Sequence, residues 1–89
     1  MVSQKIVISS ALGIHLRPAC AMCDMAIKYE SKVGFNYGDG RNANAKSVIS
    51  ILASGVKCGH EIELVAEGAD EQDALVAVAE ALITALNED

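Results

Sequence analysis

The segment from Glu61 to Glu67 places the tightest constraint on the fold. Apolar Ile62, Leu64 and Ala66 alternate there with residues that are mostly acidic, and only Val65 departs from the pattern. An alternation with a period of two is typical of a β-strand that buries one face and exposes the other. The sequence therefore predicts an antiparallel sheet with a solvated outer face, so that helices need to cover only its inner face.

The same reading of periodicity and turn residues gives the other elements. The predicted strands are residues 5–9, 32–37, 41–45 and 61–67. Residues that tolerate positive φ form a hairpin turn at Gly38-Asp39-Gly40 between the second and third strands. The first helix holds Pro18 in its first turn and ends near residues 28–30. The order β-α-β-β-α-β-α predicts the α+β class, with a four-stranded antiparallel sheet covered on one face by three helices.

Capping residues delimit the second and third helices. Ser47 and Gly55 bracket about two helical turns, as an N-cap and a C′ glycine do. Asp70 is the predicted N-cap of the last helix, and acidic residues in its first turn favour the positive end of the helix dipole. The predicted buried residues are Val48, Ile51 and Leu52 in the second helix and Leu75, Val78, Leu82 and Leu86 in the third.

Composition and charge narrow the classes of function. The 89 residues fit a single domain over 1–89, and a hydrophobic share of 52% excludes intrinsic disorder. A formal net charge of −5 argues against a nucleic-acid or anionic-membrane binder. No segment is long and apolar enough for membrane insertion and no secretory signal is evident, so we expect a cytoplasmic protein. Three cysteines, an odd number, favour reduced thiols over a disulfide framework.

The segment from Gly13 to Ala19 carries the sharpest chemical signal, because it places a histidine at the start of the first helix. With Pro18 in the first turn, His15 falls in the N-cap region. There the unpaired amides of Leu16 and Arg17 and the helix dipole form an anion site, and the Arg17 guanidinium could bind the same anion. These groups suit a phosphoryl group on an imidazole nitrogen. The plainer interpretation is a capping histidine beside an exposed arginine.

This segment, the Lys46-Ser47 pair and the element order together closely resemble the HPr family, the histidine-containing phosphocarriers of the bacterial phosphoenolpyruvate:sugar phosphotransferase system. The resemblance implies an open-faced β-sandwich. It also implies that His15 accepts a phosphoryl group on Nδ1 from enzyme I and passes it to enzyme IIA domains, with Arg17 steadying the phosphate. Such a carrier is the phosphorylated substrate of its partners rather than a free-standing catalyst, and we expect no cofactor.

The resemblance further implies a regulatory site and a docking face. Ser47 matches the serine that HPr kinase/phosphorylase modifies in many relatives, which makes that enzyme and a catabolite-control transcription factor candidate partners. The simpler role of Ser47 is that of an N-cap. The predicted docking residues near the histidine are Leu16, Cys20, Ile49 and Leu52, with Ile14 as a further candidate. Core packing is the simpler role for Leu52, whereas Leu16 and Ile49 are predicted to be exposed.

Two other classes of function stay open. One is a regulatory binding module of the same fold that acts through phosphorylated Ser47 on a transcription factor or enzyme; His15 counts against it. The other is a thiol or zinc protein built on Cys20 and Cys23, with Cys58 and a nearby histidine completing a ligand set. Because Cys20 and Cys23 lie one helical turn apart, the metal signal is weak and we predict no metal site. We also expect a monomer.

Overall fold

The computed structural model describes residues 1–88, and the elements follow the predicted order. Their bounds are β1 (Val2–Val7), α1 (Leu16–Ala26), β2 (Lys32–Gly38), β3 (Arg41–Asn44), α2 (Val48–Ala53), β4 (Glu61–Glu67) and α3 (Glu71–Asn87). The predicted bounds of β4 are confirmed, and α2 begins directly after Ser47. β2 is one residue longer and β3 one residue shorter than predicted.

The four strands form one antiparallel sheet in the order β1-β4-β2-β3, so β4 lies between two neighbours. Its register pairs Val65 with Ser3 on one side and with Gly34 on the other. The inward residues of β4 are fully buried, whereas its outward residues are exposed or half-buried. The predicted sheet with one solvated face is therefore confirmed, because the outward side chains of β4 are mostly charged and stay in contact with water.

The three helices cover the inner face and close an aliphatic core. The largest fully buried side chains include Ile8, Met22, Phe35, Ile51 and Leu82. All four predicted core residues of α3 are buried, which is the stripe expected of a helix packed on a sheet. α1 packs against both α2 and α3. No helix within residues 1–88 has the length and apolar character needed to cross a membrane.

Two predicted boundaries are wrong because they depend on contacts outside the segment. β1 spans Val2–Val7 rather than residues 5–9, since its length is set by pairing with β4 from Val2 opposite Ala66 onwards. α1 ends at Ala26 rather than near residues 28–30. The Ile27 amide still bonds four residues back, to Cys23, but the amides of Lys28 and Tyr29 bond only three residues back, which tightens the chain and ends the helix. Ile27, the C-cap residue, is 60% exposed.

Asp70 differs from its predicted role in one respect. Its backbone lies at the N-cap of α3, but its side chain makes no capping hydrogen bond. Instead, the carboxylate accepts hydrogen bonds from the Glu30 amide at 3.0 Å, the Ser31 amide at 2.9 Å and the Ser31 hydroxyl. Asp70 therefore ties the loop before α3 to the loop between α1 and β2. These hydrogen bonds, with that from the Ser31 hydroxyl foremost, lower the pKa of Asp70 below its ordinary value of 3.8.

Stability at low pH should depend on Asp70. A carboxyl group with a lowered pKa stabilises the fold above its unfolded-state pKa, and this contribution disappears as the pH falls through the folded-state value. We therefore expect Asp70→Asn to be less stable than the natural chain at neutral pH, and its Tm to fall less steeply below about pH 4. Thermal unfolding followed by circular dichroism checks this, and parallel Tm curves for the two proteins would contradict the role of Asp70.

Candidate functional site

A short loop after β1 positions His15. Gly13 adopts a positive φ of 68°, and its amide donates to the Ser10 carbonyl at 3.0 Å. The Ile14 amide donates to the Val56 carbonyl at 3.1 Å, and the Ile14 side chain is buried. The loop is thus fixed on one side by its own turn and on the other by the segment before β4. His15 follows directly and is held where the loop meets α1.

His15 is the N-cap of α1, as predicted. Its backbone is extended, with φ −101° and ψ −165°, and its carbonyl accepts the first helical hydrogen bond, from Ala19 at 3.0 Å. Its half-buried side chain makes no capping bond. The amides of Leu16 and Arg17 precede the first residue that can bond within the helix, and Pro18 has no amide hydrogen. The start of α1 therefore offers two backbone donors and the positive end of the dipole.

Arg17 lies between the start of α1 and the end of α3. One of its guanidinium nitrogens is 3.8 Å from Oε2 of Glu88, and both side chains are more than half exposed. An exposed pair at this distance contributes little to stability, so the guanidinium can be drawn to another anion at small cost. The sequence gives no signal for Glu88, because α3 brings it to this site from the far end of the chain. The predicted role of Arg17 in holding phosphate stays a prediction.

Ser47 is the N-cap of α2, which confirms the structural part of its prediction. Its backbone is extended, and its Oγ accepts a hydrogen bond from the Ser50 amide at 3.2 Å. Ser50 in turn accepts from the Asn44 amide on β3 at 2.9 Å, so the cap is joined to the sheet. Gly55, with φ 65°, follows the end of the helix as the predicted C′ glycine. The regulatory role of Ser47 stays a prediction.

Exposed aliphatic side chains lie on the two helices and on the loop before α1. Ile49 is 81% exposed and Leu16 61% exposed, as predicted. Leu12, in the loop before the histidine, is 69% exposed and was not among the predicted docking residues. Because Leu12 lies only three residues before His15, we add it to the candidate docking residues. Its only signal in the sequence is an apolar residue in a turn.

The burial of Ile14 and of Leu52 differs from what the sequence predicts. Ile14 is 6% exposed and belongs to the core, because the hydrogen bond of its amide to Val56 draws its side chain inward. Leu52, predicted on the buried side of α2, is 39% exposed, whereas Ile51 is fully buried. A helix of six residues that rests on the core at one edge buries only one large side chain. Cys20 is half-buried, and the docking roles of Cys20 and Leu52 stay predictions.

The cysteines and the second histidine form no metal-binding group in the described part of the chain. Within residues 1–88, no three His, Cys, Asp or Glu side chains are grouped in a way that could hold a metal ion. Cys58 is exposed, and its Sγ donates to the Ser9 carbonyl at 3.8 Å. His60 Nδ1 accepts from the Lys57 amide at 3.2 Å. These two side chains therefore stabilise the loop before β4.

Comparison with known proteins gives a consistent result. A family model described as the PTS HPr component phosphorylation site matches residues 2–84. The HPr-like protein Crh of Bacillus subtilis is 39% identical over 75 residues, which cover 84% of this chain and 87% of Crh. The multiphosphoryl transfer protein of Vibrio cholerae is 37% identical over 83 residues, which cover 91% of this chain. This chain spans only 21% of the length of that Vibrio protein.

Solved structures share the fold. The histidine-containing phosphocarrier protein of Mycoplasma matches with a TM-score of 0.90 and 27% identity, covering 96% of both chains. An HPr dimer from Thermoanaerobacter tengcongensis matches with a TM-score of 0.73 and 33% identity, covering 91% of this chain and 92% of the other. The monomer expected of this chain stays a prediction. The match over residues 2–84 and the shared fold establish that this chain belongs to the HPr family.

Proposed function

We propose that this chain is a phosphocarrier of the sugar phosphotransferase system, which takes a phosphoryl group from phospho-enzyme I onto His15 and donates it to enzyme IIA domains. The observation that carries the proposal is the position of His15 at the N-cap of α1, beside the amides of Leu16 and Arg17. The family match to a phosphorylation-site component supports it. These partners belong to the cytoplasm, where we place the protein.

The proposed transfer uses the imidazole as a nucleophile. Nδ1 of neutral His15 attacks the phosphorus, and the bond between phosphorus and enzyme I breaks with its electron pair left on enzyme I. The negative charge on the transferred oxygens is stabilised by hydrogen bonds from the amides of Leu16 and Arg17 and by the positive end of the α1 dipole. Transfer to an enzyme IIA domain repeats the step in the opposite sense, so His15 ends as it began.

Intact mass after incubation with enzyme I, phosphoenolpyruvate and magnesium tests the proposal. We expect one added phosphate that is labile in acid and stable in base, which is the behaviour of a phosphorylated imidazole. The control is the same enzyme I acting on an independent carrier. If that carrier is phosphorylated and this chain is not, the proposed function is wrong.

Arg17 should contribute to transfer through its charge. We expect Arg17→Ala to slow phosphoryl uptake by about tenfold, the loss of one charge-assisted hydrogen bond of ~1.4 kcal/mol. Glu88→Gln, which removes the present partner of Arg17, should change the rate by less than about twofold because the pair is exposed. Single-turnover phosphorylation by enzyme I measures both rates. Equal rates for Arg17→Ala and the natural chain would exclude a role in transfer.

Ser47 is proposed to regulate the carrier, with HPr kinase/phosphorylase and a catabolite-control transcription factor as candidate partners. We expect Ser47→Asp to slow uptake from enzyme I, because negative charge beside exposed Ile49 would weaken docking. Ser47→Ala, which removes the cap, should keep the transfer rate and lower the free energy of unfolding by about 1 kcal/mol. The same transfer assay and urea unfolding measure the two effects. An unchanged rate for Ser47→Asp would limit Ser47 to capping.

A regulatory module is the second candidate function. It is favoured by the 39% identity to Crh, because a solved structure of Crh describes that protein as the catabolite repression HPr of Bacillus subtilis. In that case Ser47 would be phosphorylated and the modified chain would bind a transcription factor or enzyme without passing phosphate to sugars. A kinase assay with ATP and no enzyme I separates the two functions. Phosphoserine that forms while enzyme I leaves His15 unmodified would favour the module. Sedimentation of each phosphorylated form would show whether that form is a monomer or a dimer.

A further inference from the structure

Cys20 and Cys23 form a pair of free thiols that the proposed transfer does not use. Both are half-buried, and Cys23 packs against the core. Together with Leu16 they follow the spacing i, i+4, i+7, so the three side chains share one face of α1. Exposed Leu16, which directly follows His15, lies at the N-terminal end of this face. Oxidation of Cys20 and Cys23 would therefore alter the helix face that begins next to His15.

The helix brings the two thiols close to disulfide geometry without reaching it. Residues three apart in an α-helix have Cα atoms about 5 Å apart, within the range of disulfides. Their Cβ atoms are ~5–6 Å apart, whereas a disulfide requires about 3.5–4.5 Å. In a 3₁₀ turn, residues i and i+3 eclipse one another. Joining Cys20 to Cys23 therefore requires the intervening turn to tighten.

We propose that Cys20 and Cys23 are a reversible oxidation site, and that their disulfide slows phosphorylation of His15. With hydrogen peroxide as the oxidant, one thiolate attacks a peroxide oxygen, the O–O bond breaks and hydroxide leaves, giving a sulfenic acid. The second sulfur attacks the first, the S–S bond forms and another hydroxide leaves. The two thiol protons convert the hydroxides to water. A strained disulfide is readily reduced, so a thiol reductant reverses the change.

The link to His15 follows from the packing of α1. Buried Pro18, Ala19 and Met22 hold the helix on the core on either side of Cys20. Tightening the turn from Cys20 to Cys23 displaces fully buried Met22 within it, and a close-packed core transmits this strain to Pro18 and Ala19 in the first turn. The amides of Leu16 and Arg17 then shift with respect to the imidazole. This second half of the proposal rests on the proposed phosphocarrier function, whereas the disulfide itself does not.

Mass spectrometry tests the disulfide directly. The reduced full chain is treated with limiting hydrogen peroxide, free thiols are alkylated, and intact mass and peptides are measured. We expect loss of two hydrogen atoms, a Cys20–Cys23 link that dithiothreitol reduces, and an alkylated Cys58. Cys20→Ser and Cys23→Ser should each prevent the link, whereas Cys58→Ser, on the exposed loop, should retain it. Oxidation confined to Cys58, or a link between two copies of the chain, would overturn the proposal.

Phosphorylation by enzyme I tests the consequence. We expect the oxidised natural chain and the oxidised Cys58→Ser variant to be phosphorylated at least about tenfold more slowly than their reduced forms, with full recovery after reduction. Cys23→Ser, which lacks one of the two thiols and is not a predicted docking residue, should have the same rate before and after peroxide. A disulfide with an unchanged rate would refute the regulatory half alone. A reduced chain that is not phosphorylated would refute the proposed function, while the mass result would still decide whether the disulfide forms.

Discussion

Replacing His15 with alanine will abolish phosphate incorporation from enzyme I and leave the fold intact. The reason is that the imidazole nitrogen is the proposed acceptor, and no other group at the start of α1 can form the same bond. The fold should tolerate the change, because a helix cap is worth about 1 kcal/mol and the His15 side chain makes no capping bond. Intact mass after the enzyme I reaction and thermal unfolding measure the two results.

His60→Ala is the matched control for this experiment. His60 is the only other histidine in the sequence, and it is exposed in the loop before β4, where Nδ1 accepts a hydrogen bond from the Lys57 amide. We expect His60→Ala to incorporate phosphate like the natural chain. Incorporation that survives His15→Ala and is lost in His60→Ala would move the phosphorylation site and contradict the assignment.

Gly13→Ala should produce the largest loss of stability among the changes considered. A Cβ at this position would overlap the Val56 carbonyl and lie 2.8 Å from the Lys57 Cα, both of which are backbone atoms that cannot rotate away. Alanine is also strained at a φ of 68°. We expect a loss of about 3 kcal/mol in the free energy of unfolding. Phosphoryl uptake should fall as well, because the displaced loop carries His15.

Gly40→Ala separates the steric overlap of the new Cβ from the backbone strain of alanine at positive φ. Gly40 has a similar φ of 75°, but a Cβ there would meet nothing within 4 Å. We expect this variant to lose only the conformational part, about 1 kcal/mol, and to keep its transfer rate. Urea unfolding of the three proteins gives the comparison. Equal losses for Gly13→Ala and Gly40→Ala would mean that the contact with Val56 contributes nothing to stability.

Local sequence patterns predict the features that depend on neighbouring residues. The alternation in β4 depends only on which side chains face the core, and its bounds are correct. Ser47 and Gly55 delimit α2 because caps act within one turn of the helix. The position of His15 at the N-cap follows in the same way from the turn before it and from Pro18 behind it.

Contacts between distant segments explain what the patterns miss. Asp70 has the residue type of an N-cap, but Ser31, 39 residues away, supplies better donors to its carboxylate. The close approach of Gly13 to Val56 and the contact of Arg17 with Glu88 likewise join segments that are far apart in the sequence. The predicted burial of Leu52 fails for a similar reason. With only six residues, α2 is too short for its hydrophobic periodicity to show which edge of the helix touches the core.

The two ends of α3 differ in how well they should tolerate an attached label. The Met1 amino group lies 3.1 Å from Glu71 at the start of this 17-residue helix, whereas Glu88 follows its end and contacts Arg17. A helix of that length separates the two points by about 25 Å. A fluorophore or affinity tag attached at Glu88 would therefore lie next to Arg17, where it would compete for space with the enzyme I proposed to phosphorylate His15. One joined before Met1 would leave that approach open.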